Sequence, residues 1–142
     1  MRRLKRVRSW QATNVTFAHN TTNIGAIYER TKILLFPSLL YETAGRVAIK
    51  ANANGIPVLA CNNGGIAEML DGAGYLFDPP AAMCEKWDTA PPADYLAKWL
   101  AVLDRLHDDP AEMADAVKRA QAADTRYDLA ALARTFAEAV AR

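Results

Sequence analysis

Cysteine is scarce in this chain: Cys61 and Cys84 are the two among 142 residues. Two thiols so far apart build neither a disulfide framework nor a zinc site. Histidine is as scarce, at His19 and His107, and no cluster with metal-ligand spacing appears. No apolar run approaches the ~20 residues that span a bilayer. The first six residues, MRRLKR, are followed by no apolar stretch, so they do not read as a signal peptide. No G-x-G-x-x-G follows a first strand, which ranks a dinucleotide-binding Rossmann domain last. A reducing, cytoplasmic setting is the expectation these absences leave.

What is present is ample apolar material, 51% of the residues, which excludes global disorder. The length fits one domain over residues 1–142. Within it we expect a basic lead over 1–13, a β/α core over 14–79, a proline-rich loop over 80–92 and helices over 93–142. The net charge of +1 conceals an asymmetry. Residues 1–77 carry nine Lys/Arg and four Asp/Glu, whereas residues 78–142 carry eight and twelve. The basic half holds the glycine-rich loops, which suits an anionic ligand. Five of its cations, however, fall at Arg2, Arg3, Lys5, Arg6 and Arg8. A DNA-binding reading has only those five behind it and is set aside.

The chain is organised around residues 36–68, FPSLLYETAGRVAIKANANGIPVLACNNGGIAE. A buried strand over 33–36 is stopped by Pro37-Ser38. Glu42 follows in a loop, and Gly45 opens an amphipathic helix over 45–54. Gly55 closes that helix, and a second buried strand runs over 57–60. Asn62-Asn63-Gly64-Gly65 then forms a loop whose backbone can approach a ligand closely. Two loops at the C-terminal ends of adjacent parallel strands, each feeding a helix, make an anion site. Ala44, Gly45 and Arg46 occupy the N-terminus of the first helix.

The remaining pattern alternates. Val15-Thr16-Phe17-Ala18 reads as a strand, followed by a polar loop with His19 and a helix over 24–30 capped by Thr22 or Asn23. A short helix over 66–70 and a strand over 74–77 complete a parallel, Rossmann-like α/β sheet with helices on both faces. Helices follow near 93–107, 110–123 and 128–141. Ala131, Leu132, Phe136 and Val140 stripe the last one, as a core-facing helix would.

Three spaced motifs carry a resemblance: Pro37-Ser38-x-x-x-Glu42-x-x-Gly45, Ala51-x-x-x-Gly55-x-Pro57-Val58, and Gly64-Gly65-Ile66-x-Glu68. Residues 72–79, GAGYLFDP, extend it. Together they resemble the C-terminal donor domain of GT-B retaining glycosyltransferases, the group 1, family 4-like enzymes of envelope polysaccharide and glycolipid synthesis. The resemblance covers residues 14–80 well and the later helices in outline. It implies a nucleotide-diphosphate sugar as donor substrate, with no other cofactor and no protein-bound metal. Glu42, Gly64 and Gly65 would face the sugar. His19, Ala44, Gly45, Arg46 and Lys50 would face the nucleotide and its phosphates. For the basic lead two readings stand: a weak peripheral contact with the inner membrane face, as enzymes of this kind often make, or the exposed end of a helix, which its small apolar face favours.

The sequence departs from the family in two ways. The second acid of the family's paired-Glu motif, which accepts from the ribose, is replaced by Lys50, and lysine has donors only. Arg46, Lys50 and Asn54 share a helix face; the two cations repel and both oppose the helix dipole. Asn52 stands where the family commonly has methionine. The opening strand, the glycine loop and phosphate clamp of the donor domain, and the acceptor-binding domain have no counterpart in the 142 residues. Two readings follow: a partial donor domain of a hexosyltransferase-like enzyme, inactive alone, or a degenerate member serving as a binding or partner subunit. Uncovered sheet and helix surfaces favour a homo-oligomer.

Overall fold

The computed structural model describes residues 14–86, 88–124 and 129–141. The basic lead over 1–13 lies outside them, as does the membrane contact expected of it. Three short strands, β1 (Leu34–Phe36), β2 (Val58–Cys61) and β3 (Gly74–Phe77), form a parallel sheet in that order. Helix α1 (Gly25–Tyr28) precedes β1, α2 (Arg46–Ala53) links β1 to β2, and α3 (Ile66–Leu70) links β2 to β3. Helices α4 (Ala81–Glu85), α5 (Ala93–Asp108), α6 (Pro110–Asp124) and α7 (Leu129–Val140) follow. The expected Rossmann-like α/β architecture is what forms.

β2 is central, and all four of its residues are buried. Alternation along a strand sends successive side chains to opposite faces. Val58 and Ala60 accordingly join Ala48 and Ala51 of α2, Ile66 and Leu70 of α3, and Tyr28 of α1. Leu59 and Cys61 join Phe77, Met83 of α4, Tyr95, Trp99 and Leu106 of α5, and Ala116 of α6. The sheet thus separates two apolar layers, and α2 also packs against α6. Phe77 stacks on Trp99 with ring centroids 4.4 Å apart. A polar link ties β3 to α6: Arg119 Nη2 donates to Tyr75 Oη at 2.7 Å, and that hydroxyl donates to Glu112 Oε1 at 2.9 Å.

Three expectations need correction. Residues 15–18 form no strand; they are irregular, with Val15 and Phe17 about half exposed. β-propensity becomes a strand only where a neighbouring strand takes its backbone groups, and β1 pairs with β2 alone. The proline-rich stretch over 80–92 is not a continuous loop, because α4 lies inside it. Pro80, at φ −55°, sits at that helix's N-cap, and Met83 anchors it in the core. Proline is compatible with a helix start, so its presence did not mark a loop here. Lastly, α7 turns no apolar face to the core. Leu132 is 49%, Phe136 71% and Val140 68% exposed. The side chain of Ala131 lies outside the described residues.

Cys61 Sγ and Tyr95 Oη are 3.3 Å apart in the second layer. Burial pushes the Tyr95 phenol up to about 12, and its bond to Cys61 adds to this. Burial likewise raises the Cys61 thiol. The fold therefore favours the neutral form of both. Their contribution is complete below the ordinary thiol and phenol values, near 8.5 and 10, and is lost as pH rises through the folded values. Tyr95→Phe removes the ionising hydroxyl, so melting temperature should fall less steeply between pH 10 and 12 than in the parent. Equal slopes for the two proteins contradict this account.

Candidate functional site: two loops joined at the strand ends

The parallel pairing of β1 with β2 brings the loops that follow them out at one end of the sheet. The pairing does not stop at the strands. Glu42 forms a further parallel bridge with Gly64, and the Gly65 N–H donates to the Glu42 carbonyl at 2.7 Å. Asn63 Nδ2 donates to the Leu39 carbonyl at 2.8 Å, which fixes the same two loops a second time. Asn62 reaches the third loop: its Nδ2 donates to Asp78 Oδ1 at 2.7 Å, and its N–H to the Phe77 carbonyl at 2.8 Å. The C-terminal end of the sheet is thus a single hydrogen-bonded rim.

This geometry gives a reason for Gly64 and Gly65 that differs from the one the sequence suggests. What approaches their backbone is the other loop. A Cβ at Gly64, where φ is +70°, would overlap the Glu42 carbonyl and amide. A Cβ at Gly65 would overlap the Thr43 carbonyl. The two glycines therefore let the first loop close down and hold Glu42 in place.

Glu42 is half-buried, and Ser38 Oγ donates to its Oε1 at 3.1 Å. The second carboxylate oxygen accepts no hydrogen bond among the described residues, so the group retains acceptor capacity. Sequence reasoning used Ser38 as a strand stop and as part of the Pro37-Ser38 motif, without pairing it to Glu42. A hydroxyl four residues before an acid in one loop was the signal for this pair. Gly45, buried and at φ +50°, turns the chain into α2, packed so closely that a Cβ would meet the Ile66 side chain. Ala44 is half-buried beside it, and Arg46 is exposed at the first helical position. The first amides of α2 lack intrahelical acceptors, as at any helix start.

The cations of α2 fall where expected on the surface, with one correction. Arg46 and Lys50 are both exposed and form no ion pair among the described residues. α2 is only eight residues long, however, and Lys50 lies in its last turn. A cation there is favourable with the dipole; only Arg46 opposes it. Asn54 closes the face by donating Nδ2 to the Lys50 carbonyl at 2.7 Å. Asn52 points inward instead: it is 3% exposed, and its Oδ1 accepts no hydrogen bond among the described residues. His19 is exposed in an irregular segment and makes no hydrogen bond to the rim among the described residues. No group of three His, Cys, Asp or Glu among the described residues could hold a metal ion. No helix of these residues is long and apolar enough to cross a membrane.

The rim offers a held carboxylate next to a helix N-terminus. Such a pair can accept hydrogen bonds from hydroxyls and donate backbone hydrogen bonds to an anion. Comparison with known proteins gives the family and the fold. The family model described as glycosyl transferases group 1 matches residues 1–90. Among solved structures, that of Anabaena Alr3699/HepE in complex with UDP-glucose is similar, with a TM-score of 0.70 and 22% identity. The match covers 97% of this chain and 35% of that one, so the chain spans about a third of its length. At this identity the likeness shows a shared fold. No curated protein sequence matches.

The loop closure predicts an ordered series of substitutions. Gly64→Ala adds both backbone strain and overlap with the Glu42 backbone, and should cost roughly 2–4 kcal/mol. Gly72→Ala, at φ +78° with nothing within 4 Å of an added Cβ, should cost only the strain, about 1 kcal/mol. Urea denaturation of both variants checks the order. Equal losses would show that the loops do not need the glycine at 64.

Proposed function

This chain belongs to the group 1 glycosyl transferases, and we propose that it binds the nucleotide-diphosphate sugar for a retaining hexosyl transfer. The observation that carries this is the held Glu42 carboxylate at the rim, one helix start away from free backbone amides. A donor of this type has two parts with different needs. Its diphosphate is an anion, and the N-terminus of α2, with Ala44, Gly45 and Arg46, offers it amides and a favourable dipole. Its sugar carries hydroxyls, and Glu42 accepts from them. Gly64 and Gly65 support the sugar side by holding Glu42. His19 contributes on the nucleotide side if its segment approaches the rim when donor binds. The UDP-glucose carried by the HepE structure supports the ligand class.

The reading extends to the whole enzyme. Transfer in a GT-B protein takes place between two domains, so the acceptor side comes from a domain outside these 142 residues. The isolated chain binds donor without turning it over. The work is cytoplasmic, at the inner membrane face, in the synthesis of an envelope polysaccharide or glycolipid. Lys50 supports a second reading, a member that has lost the ribose acceptor and serves as a binding subunit. Lys50 is exposed in the last turn of α2 and forms no ion pair among the described residues, which supports this reading.

Two substitutions test these assignments in calorimetry. Glu42→Ala should weaken UDP-glucose more than UDP, by roughly 1.5–3 kcal/mol for a lost charge-assisted bond. Equal weakening of both ligands places Glu42 elsewhere. Lys50→Glu should tighten UDP and guanosine diphosphate by restoring a ribose acceptor. It should also turn the Arg46 repulsion into an attraction of about 0.2–0.5 kcal/mol. A variant that is more stable yet binds both nucleotides more weakly shows that the lysine is a working phosphate ligand.

A further inference from the structure

One carboxylate of the rim has no part in the donor assignments. Asp78 follows β3, and its Oδ1 accepts from Asn62 Nδ2 at 2.7 Å, a short charge-assisted bond. Asn62 is the residue at which the second loop changes partner. Its N–H donates to the Phe77 carbonyl at 2.8 Å, which continues the parallel pairing of β2 with β3 by one residue. The next residue already belongs to the other side. Asn63 Nδ2 donates to the Leu39 carbonyl at 2.8 Å, and Gly64 and Gly65 close on Glu42. The change of direction is abrupt: the Asn63 N–H donates to the Cys61 carbonyl at 3.0 Å, so residues 61–63 form a three-residue turn centred on Asn62. The backbone angles of the central residue set such a turn, and a small rotation there displaces whatever follows it. Asn62 is thus held by its main chain to the end of β3 and by its side chain to Asp78.

We propose that Asp78 is a positioning residue of the donor site. It holds Asn62 so that Asn63, Gly64 and Gly65 meet the first loop and keep Glu42 in place. The link itself is internal to the chain; its consequence for the ligand rests on the donor reading of Glu42. Asp78 acts through Asn62 and not on the sugar. With neighbouring strands about 4.8 Å apart, the loop after β3 lies roughly 10 Å across the sheet from the loop after β1, beyond hydrogen-bond reach of a hydroxyl held by Glu42. The residue types suit the task, since a carboxylate offers acceptors and an asparagine amide offers donors. Both side chains are exposed, so replacing either removes no core packing and takes away the hold alone.

Amide exchange of the 142-residue chain without ligand tests the link. Asp78→Ala should speed exchange of the Gly65 amide, which donates to Glu42, at least fivefold, and leave the amides of Leu59 and Ala60 in β2 unchanged. Asp78→Asn keeps an acceptor for Asn62 and should exchange like the parent. Asn62→Ala should match Asp78→Ala, and the double variant should add nothing, because the two residues act as one unit. Calorimetry reads the consequence: Asp78→Ala should weaken UDP-glucose about fivefold and UDP less than twofold, and Asp78→Asn should restore the parent ratio. An unchanged Gly65 amide in Asp78→Ala overturns the proposal. So do additive losses in the double variant, equal weakening of the two ligands, or an asparagine variant as impaired as the alanine one. Glu42→Ala separates the two failures. A ratio of UDP-glucose to UDP that responds to Glu42→Ala but not to Asp78→Ala overturns the positioning role alone, and a ratio that responds to neither overturns the donor reading with it.

Discussion

The backbone contact of Glu42 with Gly64 and Gly65 is the constraint on which the rest of the rim depends. Two βα loops that leave a parallel sheet side by side are free to diverge. Here they are locked by a bridge, a 2.7 Å backbone hydrogen bond and the Asn63 side chain. Backbone-to-backbone approach at that spacing excludes a Cβ on either glycine. With the loops locked, Glu42 is placed by its own main chain and oriented by Ser38. Gly45 and Ile66 then set the start of α2 against the start of α3. The Glu42 carboxylate and a helix N-terminus are thereby held in fixed relation without any side chain spanning the gap.

That rim rests on a sheet whose central strand is enclosed on both faces. β2 supplies both apolar layers at once, with Val58 and Ala60 in one and Leu59 and Cys61 in the other. Small residues at Ala48 and Ala51 bring α2 down onto the sheet, and α6 closes behind it. Away from this centre the enclosure ends. Leu35 of β1 and Leu132, Phe136 and Val140 of α7 present large apolar side chains to solvent. Burial is therefore concentrated around β2.

The sheet core was legible because its signals are local. Buried runs bounded by glycine and proline gave β1, β2 and β3 within a residue of their observed ends. The helix over 66–70 matched, since Gly65 and Asp71 bound a short apolar turn. What the sequence did not show depends on contacts between distant residues. Val15 to Ala18 has the composition of a strand, but composition does not supply a neighbour. Leu132, Phe136 and Val140 have the period of a core helix, but period does not say which surface faces it. The proline pair at 79 and 80 hid α4, because proline ends a strand and begins a helix with equal ease. At the rim, the residue types of Glu42, Gly64 and Gly65 were readable. That the glycines serve the carboxylate was not, since it requires knowing that residue 42 lies against residue 64.

The central claim is that the joined loops and the start of α2 form the donor site, and amide hydrogen exchange with and without UDP-glucose tests it most directly. The account predicts slower exchange over residues 42–48 and 62–66 when donor is added, with the amides of α5 and α6 unchanged. Binding that protects another part of the chain and leaves those two segments unaltered would contradict it.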